Sequence, residues 1–497
     1  RVMLVVDGVR MNNAIYRKGH LQNAITVAPN QLDKTEIVFG PSSVIYGSDA
    51  LGGVIHYYTK TPKLSEKTKV TSSFFNRYSS INNEITNNAS VEIGNKKWAS
   101  FTSISYSDFG DLKMGKNRSH GFNNWGKVFL YSENSNDFYS STATENSDVN
   151  LQRNTAYNQT DLLQKFFIPL TDKTELKLNF QYSTSSDIPR FDRLDEKHEG
   201  TLKFAEWYYG PQERLLISPQ LDINPGKSWL DKGTFTLAYQ NIKESRIQRK
   251  LSSLERSYRN ENVDVFSFNG DFMIPLSKNE NRAFTYGFEF LHNDVNSSAF
   301  GKTLDVLGND IIGFSDNFNV QTRYPDGGSS YVSSALYLGY REDLNAKSTL
   351  NTGVRFTRTN LKASWIDQSI IILPETNIKL DNSAFTATLG YVFKPNKNTQ
   401  LNTVISSGFR SPNIDDVGRV REKSGNITVP NIHLKPEYAY SAEIGIQKYF
   451  NDKKFRFGFN TYYTLLKHYI IRDDFLMYGN LSLNGQLLYD DEMGNIV

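Results

Sequence analysis

Phe284-Thr285-Tyr286-Gly287-Phe288-Glu289-Phe290 is the stretch that decides the fold. Every second residue is aromatic, and Thr, Gly and Glu lie between. A strand turns successive side chains to opposite faces, so this segment has one apolar face and one small or polar face. The same period returns along the chain. Leu350, Thr352, Val354 and Phe356 alternate with Asn351, Gly353 and Arg355. Leu176, Leu178, Phe180 and Tyr182 alternate with Lys177, Asn179 and Gln181. Phe455, Phe457 and Phe459 alternate with Arg456, Gly458 and Asn460, and Phe385, Ala387, Leu389, Tyr391 and Phe393 repeat the pattern. Between Lys67 and Ile471 about fifteen such strands are expected, many near the roughly ten residues that a tilted membrane strand needs. Tight connections such as Asn345-Ala346-Lys347 and Lys394–Asn398 mix with long ones at Gly110–Asn154, Asp187–Gly200, Phe300–Ser329 and Pro412–Pro436. Short turns on one side and long loops on the other are the habit of a membrane β-barrel.

Composition supports that reading. Only 38% of the 497 residues are hydrophobic, and no run of about 18 apolar residues offers a transmembrane helix. A barrel tolerates this, because half of every strand faces a polar lumen. Aromatic residues reach 13%, enough for an outward band and interfacial girdles. A soluble propeller or set of sandwiches would also alternate. It would not explain the aromatic faces, the strand lengths or the lack of a fixed repeat. The net charge of +3 points to neither nucleic acid nor a strongly acidic partner, and the absence of cysteine excludes disulfide support. Gly-x-Ser-x-Gly, His-Glu-x-x-His and P-loop motifs are all missing, so no enzyme is expected.

Residues 1–62 read differently from 63–497. Val2–Val6 is a short apolar run stopped by Asp7-Gly8, and Lys34–Phe39 is a second strand. Gly40-Pro41 breaks it, and Pro41 starts a helical turn over Ser42–Tyr46. Gly47, Gly52 and Gly53 precede a third strand, Val54–Thr59. This small α/β unit has too little chain to make a core alone.

The run from Glu36 to Ile55, with Gly40-Pro41-Ser42, Tyr46-Gly47 and Gly52-Gly53, resembles the end of the plug in TonB-dependent outer-membrane receptors. Phe39 stands where that family commonly has Arg. Leu4-Val5-Val6-Asp7-Gly8-Val9-Arg10 is similar to the preceding plug strand and turn. Gly408-Phe409-Arg410-Ser411-Pro412-Asn413 and Asn431-Ile432-His433-Leu434-Lys435-Pro436-Glu437 resemble the paired boxes of the family's barrel. In overall style the chain is similar to Bacteroidetes members. The resemblance implies an all-β transmembrane architecture, an antiparallel outer-membrane barrel of about 22 strands with a small α/β plug in its lumen. With about fifteen strands and half a plug, the chain is expected to be a fragment missing both ends, including the segment that TonB grips.

The resemblance also implies active, TonB-powered import of a scarce nutrient, with an iron complex, haem or a ferric siderophore, as the expected ligand and no intrinsic cofactor. Expected partners are outer-membrane lipid, lipopolysaccharide, the TonB complex and a surface lipoprotein. Plug loops facing outward touch ligand in this family. Tyr16, Arg17, Lys18 and His20 are therefore candidate ligand contacts, with His20 a candidate haem ligand. The alternative for that segment is a solvated loop or salt bridges to lumen carboxylates. Arg410 and His433 of the two boxes complete the candidate set. His433 lies inside the second box, whereas haem receptors of the family carry a His between the boxes, where this chain has none. The charged run Asp187–Glu199 reads as a loop tip or a ligand or Ca²⁺ site. An importer of an oligosaccharide or peptide, an outer-membrane enzyme and a passive porin are the other classes.

Overall fold

A computed structural model of the chain describes residues 2–17, 22–276, 281–373, 375–423, 426–451 and 453–471. The N-terminal unit is a four-stranded sheet of β1 (Met3–Val6), β2 (Val9–Arg10), β3 (Leu32–Phe39) and β4 (Gly53–Thr59), with α1 (Ser43–Tyr46) between β3 and β4. Its order is β2-β1-β4-β3, with β1 and β4 parallel. The apolar run at the chain start becomes β1, which is buried along its whole length. Asp7 and Gly8 turn the chain with φ of 47° and 84°. The Asp7 carboxylate then accepts the Thr59 amide at 2.9 Å and the Thr59 hydroxyl at 2.6 Å, which ties the first turn to the last strand of the unit.

Fifteen long strands follow, each antiparallel to the next. They are β5 (Lys69–Ser79), β6 (Glu84–Gly94), β7 (Ala99–Phe109), β8 (Tyr157–Thr171), β9 (Thr174–Ser185), β10 (Glu213–Ile223), β11 (Lys232–Lys250) and β12 (Glu255–Pro275). Then come β13 (Arg282–Leu307), β14 (Ser329–Asn345), β15 (Ser348–Ser364), β16 (Asn377–Asn396), β17 (Thr399–Arg410), β18 (Glu437–Phe450) and β19 (Phe455–Lys467). Their order is that of a barrel with β19 beside β5. Among the described residues no paired register joins those two strands, and both are exposed along almost their whole length.

The N-terminal unit lies in the lumen. Arg10 of β2 reaches Glu289 of β13 at 3.1 Å, and Asn179 and Gln181 of β9 donate to Asp7 at 3.0 and 3.3 Å. The polar sets of β9 and β13, which carry Asn179, Gln181 and Glu289, therefore face inward. The aromatic set faces out: Phe290 is 42% exposed, and Phe288 packs edge-on against Phe268 at 5.1 Å.

Many strands are near the expected length, at 11 to 15 residues, and the longest reaches 26. One expectation changes. The segment Phe300–Ser329, read as a loop, is largely ladder: β13 continues to Leu307, and Asp310–Phe318 pairs back onto it. Here polar and apolar residues do not alternate strictly, which hides the strand in the sequence.

Candidate functional site

Two sites occupy the lumen: a junction where plug and wall interlock, and a cavity above it. The junction is built by the glycine-rich plug motif and the two barrel boxes. The Ser43 hydroxyl accepts the Phe409 amide at 3.1 Å and donates to the Phe409 carbonyl at 3.4 Å. The Ser48 hydroxyl accepts the Ser411 amide at 3.0 Å. A Cβ on Gly408 would stand 3.0 Å from Pro41, so strand and motif are in close contact. Gly47 has φ +76°, and a Cβ there would lie 2.7 Å from Arg355 and 2.8 Å from Arg10. Only glycine lets the backbone pass between those two guanidinium groups. Both arginines bind Glu289, at 3.1 Å from Arg10 and 2.9 Å from Arg355, and both donate to plug carbonyls, Arg10 to Tyr46 at 2.8 Å and Arg355 to Ile45 at 3.4 Å. Gly53, with φ +149°, passes 2.5 Å from the Val38 carbonyl when given a Cβ, which closes β3 onto β4.

Arg410, expected among the ligand contacts, belongs to this junction. It is 2% exposed, holds Glu437 at 2.7 Å, pairs with Asp416 and lies 3.9 Å from Asp49 of the plug. Surrounded by carboxylates, it locks the two boxes and the plug motif together and lines no part of the cavity.

The cavity measures about 1230 Å³. The plug contributes Arg17, the loop after β9 contributes Arg190, Arg193 and Lys203, and the wall contributes Arg246, Lys250 and Arg259. Arg323 and Arg419 enter from two further loops. Only two acids, Asp415 and Asp416, line it among the described residues. Both are occupied. Asp416 pairs with Arg410. Asp415 holds Arg419 at 3.0 Å, Arg323 at 3.3 Å and the Tyr324 hydroxyl at 2.7 Å. Burial pushes the Asp415 carboxyl up, but Arg419 and Arg323 outweigh it and hold the group below its ordinary value. Phe204 and Trp207 add aromatic surface, with the Arg190 guanidinium 4.9 Å from the Trp207 ring centre. Such a chamber suits a large, negatively charged, partly aromatic guest.

The sequence candidates separate. Arg17 lines the cavity and stands 3.8 Å from Glu244. The Tyr16 side chain packs into an apolar cluster shared by plug and wall, while its carbonyl accepts a hydrogen bond from the Asn413 side-chain Nδ2 at 2.8 Å. Lys18 and His20 lie outside the described residues. His433 is exposed and does not line the cavity, although Asn431 and Leu434 do. The charged run Asp187–Glu199 supplies Arg190 and Arg193, each held by a neighbouring acid, Asp192 and Glu196. Sequence reasoning passed over Arg246, Arg259 and Arg323. The available signal was Glu244-Ser245-Arg246 and Arg259-Asn260-Glu261, charges at the inward period of long strands.

Comparison with known proteins agrees with this geometry. The model of the TonB dependent receptor-like beta-barrel matches residues 51–485, and that of the TonB-dependent receptor plug domain matches residues 1–54. The chain belongs to the TonB-dependent receptor family. Members of the family are outer-membrane proteins of Gram-negative bacteria, and the all-β barrel with a lumen plug is the fold they share. A hemin receptor of Yersinia enterocolitica is 47% identical over 58 residues, 12% of this chain and 8% of that protein. The vitamin B12 transporter BtuB of Vibrio vulnificus (strain CMCP6) is 31% identical over 145 residues, 29% of this chain and 23% of that protein. Among solved structures, the copper transporter OprC has a TM-score of 0.69 at 11% identity, covering 94% of this chain and 63% of that one. The FrpB iron transporter of Neisseria meningitidis (F3-3 variant) has a TM-score of 0.64 at 14% identity, covering 98% and 66%. At these identities the structural likeness is one of fold. The TonB-dependent receptor chain thus spans about two thirds of its solved neighbours and smaller shares of the curated relatives it matches.

Proposed function

We propose that the intact receptor imports iron across the outer membrane as a negatively charged complex, driven through TonB, with the outer cavity as its binding chamber. The observation that carries this reading is the charge of that chamber. Cations from six separate segments converge on it, and its two acids are already paired. A cleft lined by one sign of charge with low-dielectric walls concentrates ligands of the other sign. A ferric siderophore is favoured over haem, because the many lining cations suit an anionic chelate. The similarity to a hemin receptor keeps haem as the second ligand to test. The other partners in this reading are the lipid and lipopolysaccharide around the wall, and a surface lipoprotein at the mouth.

The polar plug junction fits an energised cycle. Polar groups held by ion pairs can part and rejoin without exposing a large apolar core to water. Titration of the purified full-length receptor with anionic ferric siderophores and with haem tests the proposal. Arg190→Gln with Arg193→Gln is expected to weaken an anionic ferric complex roughly 10-fold, more at low salt than at high. Uptake of a neutral glycan or peptide with no binding of any iron complex would contradict it.

A further inference from the structure

The register of the wall sets two arginines against each other. β11 and β12 pair so that Glu244 lies opposite Glu261, and Arg246 lies opposite Arg259. Directly opposed residues share one face of a sheet. That face is the lumen, since Arg246 and Arg259 line the cavity and Glu244 stands 3.8 Å from Arg17 of the plug. Two facing pairs of like charges, one acidic and one basic, are an unfavourable arrangement unless the signs interleave. They interleave around Arg246 only. Arg246 takes both carboxylates, Glu261 at 2.5 Å and Glu244 closer still.

Arg259 has no ion pair among the described residues. Its polar contact is one hydrogen bond, from Nε to the Gln321 carbonyl at 3.0 Å. That bond fixes the plane of the guanidinium and leaves its two outer nitrogens to the cavity. Arg323, two residues beyond Gln321, also lines the cavity, but Asp415 occupies it. A partly buried cation that faces a second arginine, feels Glu261 only at longer range and has no ion-pair contact among the described residues breaks the local rules that the rest of the wall obeys. Such breaks belong at functional sites.

We infer that Arg259 is the residue that takes the ligand's charge, and that the iron complex presents a free carboxylate to its two outer nitrogens. A planar fork with Nε already occupied matches a carboxylate in two-point contact, and the low dielectric of the chamber strengthens the pair. The ligand class is then a ferric complex of a polycarboxylate chelator, as opposed to an uncharged ferric trihydroxamate. This inference rests on the iron-import reading and narrows it.

The test is equilibrium titration of the full-length receptor with ferric citrate, as a ferric polycarboxylate, and with an uncharged ferric trihydroxamate. Arg259→Gln is expected to weaken ferric polycarboxylate binding by roughly 10- to 100-fold, the worth of a charge-assisted contact. Arg259→Lys is expected to restore part of it, because an ammonium lacks the fork. The empty Arg259→Gln receptor is expected to melt at the same temperature as the wild type or higher, because the Arg–Arg opposition is relieved; a purely structural role would lower it. Equal loss for both complexes, or a lower melting temperature of the empty variant, overturns the inference. Another anionic iron complex bound equally well by wild type and Arg259→Gln overturns it while the import proposal stands. Failure of the wild type to bind any iron complex removes both.

Discussion

The lumen holds two populations of arginine. At the junction, Arg10 and Arg355 share Glu289, and Arg410 is enclosed by Glu437, Asp416 and Asp49. In the cavity, most of the lining cations also hold an acid, but Arg259 has no ion pair among the described residues. The residue type is the same, so its role is decided by the acids around it. Where every charge is answered, the arginine holds two parts of the protein together. Where charge is left over, a guest of opposite sign is expected.

The largest expected effect breaks the junction. Glu437→Ala strands Arg410, which is 3% exposed at its side chain, against fewer acids than it was built for. Removing one partner of a buried pair costs about 3–5 kcal/mol. Heat-modifiable gel mobility of the full-length receptor measures this, and a loss under about 1 kcal/mol would show that the junction is not what secures the plug. A third setting sharpens the contrast. Phe288→Arg would place an arginine on the lipid face, where neither acid nor water is available. The expected cost is roughly 2–4 kcal/mol near the midplane, measured by unfolding in bilayers, and a larger loss from Thr285→Val would invert the facing.

Gly47→Ala is smaller and local. The alanine must hold φ near +76° and push a methyl into Arg10 and Arg355. A cost of about 1–3 kcal/mol is expected, with the plug loosened and the wall intact, and limited proteolysis of the plug distinguishes the two. The smallest effect is set by pH. Burial pushes His56 below its ordinary value of 6.5, with Asp7 and Glu36 pulling it back up. Neutral His56 accepts the Gly8 amide at Nε2, 3.1 Å away. The unfolded segment binds a proton below that ordinary value while the packed plug resists it. The stabilisation is therefore present above pH 6.5 and is lost as pH falls below it. Amide exchange at Gly8 should rise on acidification, and no change between pH 7.5 and pH 5 would contradict the assignment.

The wall was legible because lipid imposes a rule on every strand. Phe284 to Phe290 alternate for the same reason as Phe455 to Phe459, and each can be read without knowing its neighbours. The plug motif and both boxes were also visible, although nothing in the sequence says that Ser43 meets Phe409 or that Ser48 meets Ser411. The cavity was mostly hidden. Arg246, Arg259 and Arg323 sit on three segments, and their meaning depends on the register that brings Arg246 opposite Arg259. The partners of Arg410 were hidden for the same reason: its carboxylates come from the plug, a loop turn and the next strand. Local pattern reveals which face a residue takes and leaves its partner across the lumen unread.

The most direct measurement sets one arginine of each population side by side in the full-length receptor. Arg410→Gln and Arg259→Gln are each assayed for melting without ligand and for affinity toward an anionic ferric complex. Arg410→Gln should lower the melting point sharply, by an amount equivalent to about 3 kcal/mol or more, as a broken buried pair requires. Arg259→Gln should leave melting unchanged or higher and reduce affinity. If both variants lose stability alike and neither changes affinity selectively, the division of the lumen into a lock and a binding chamber is wrong.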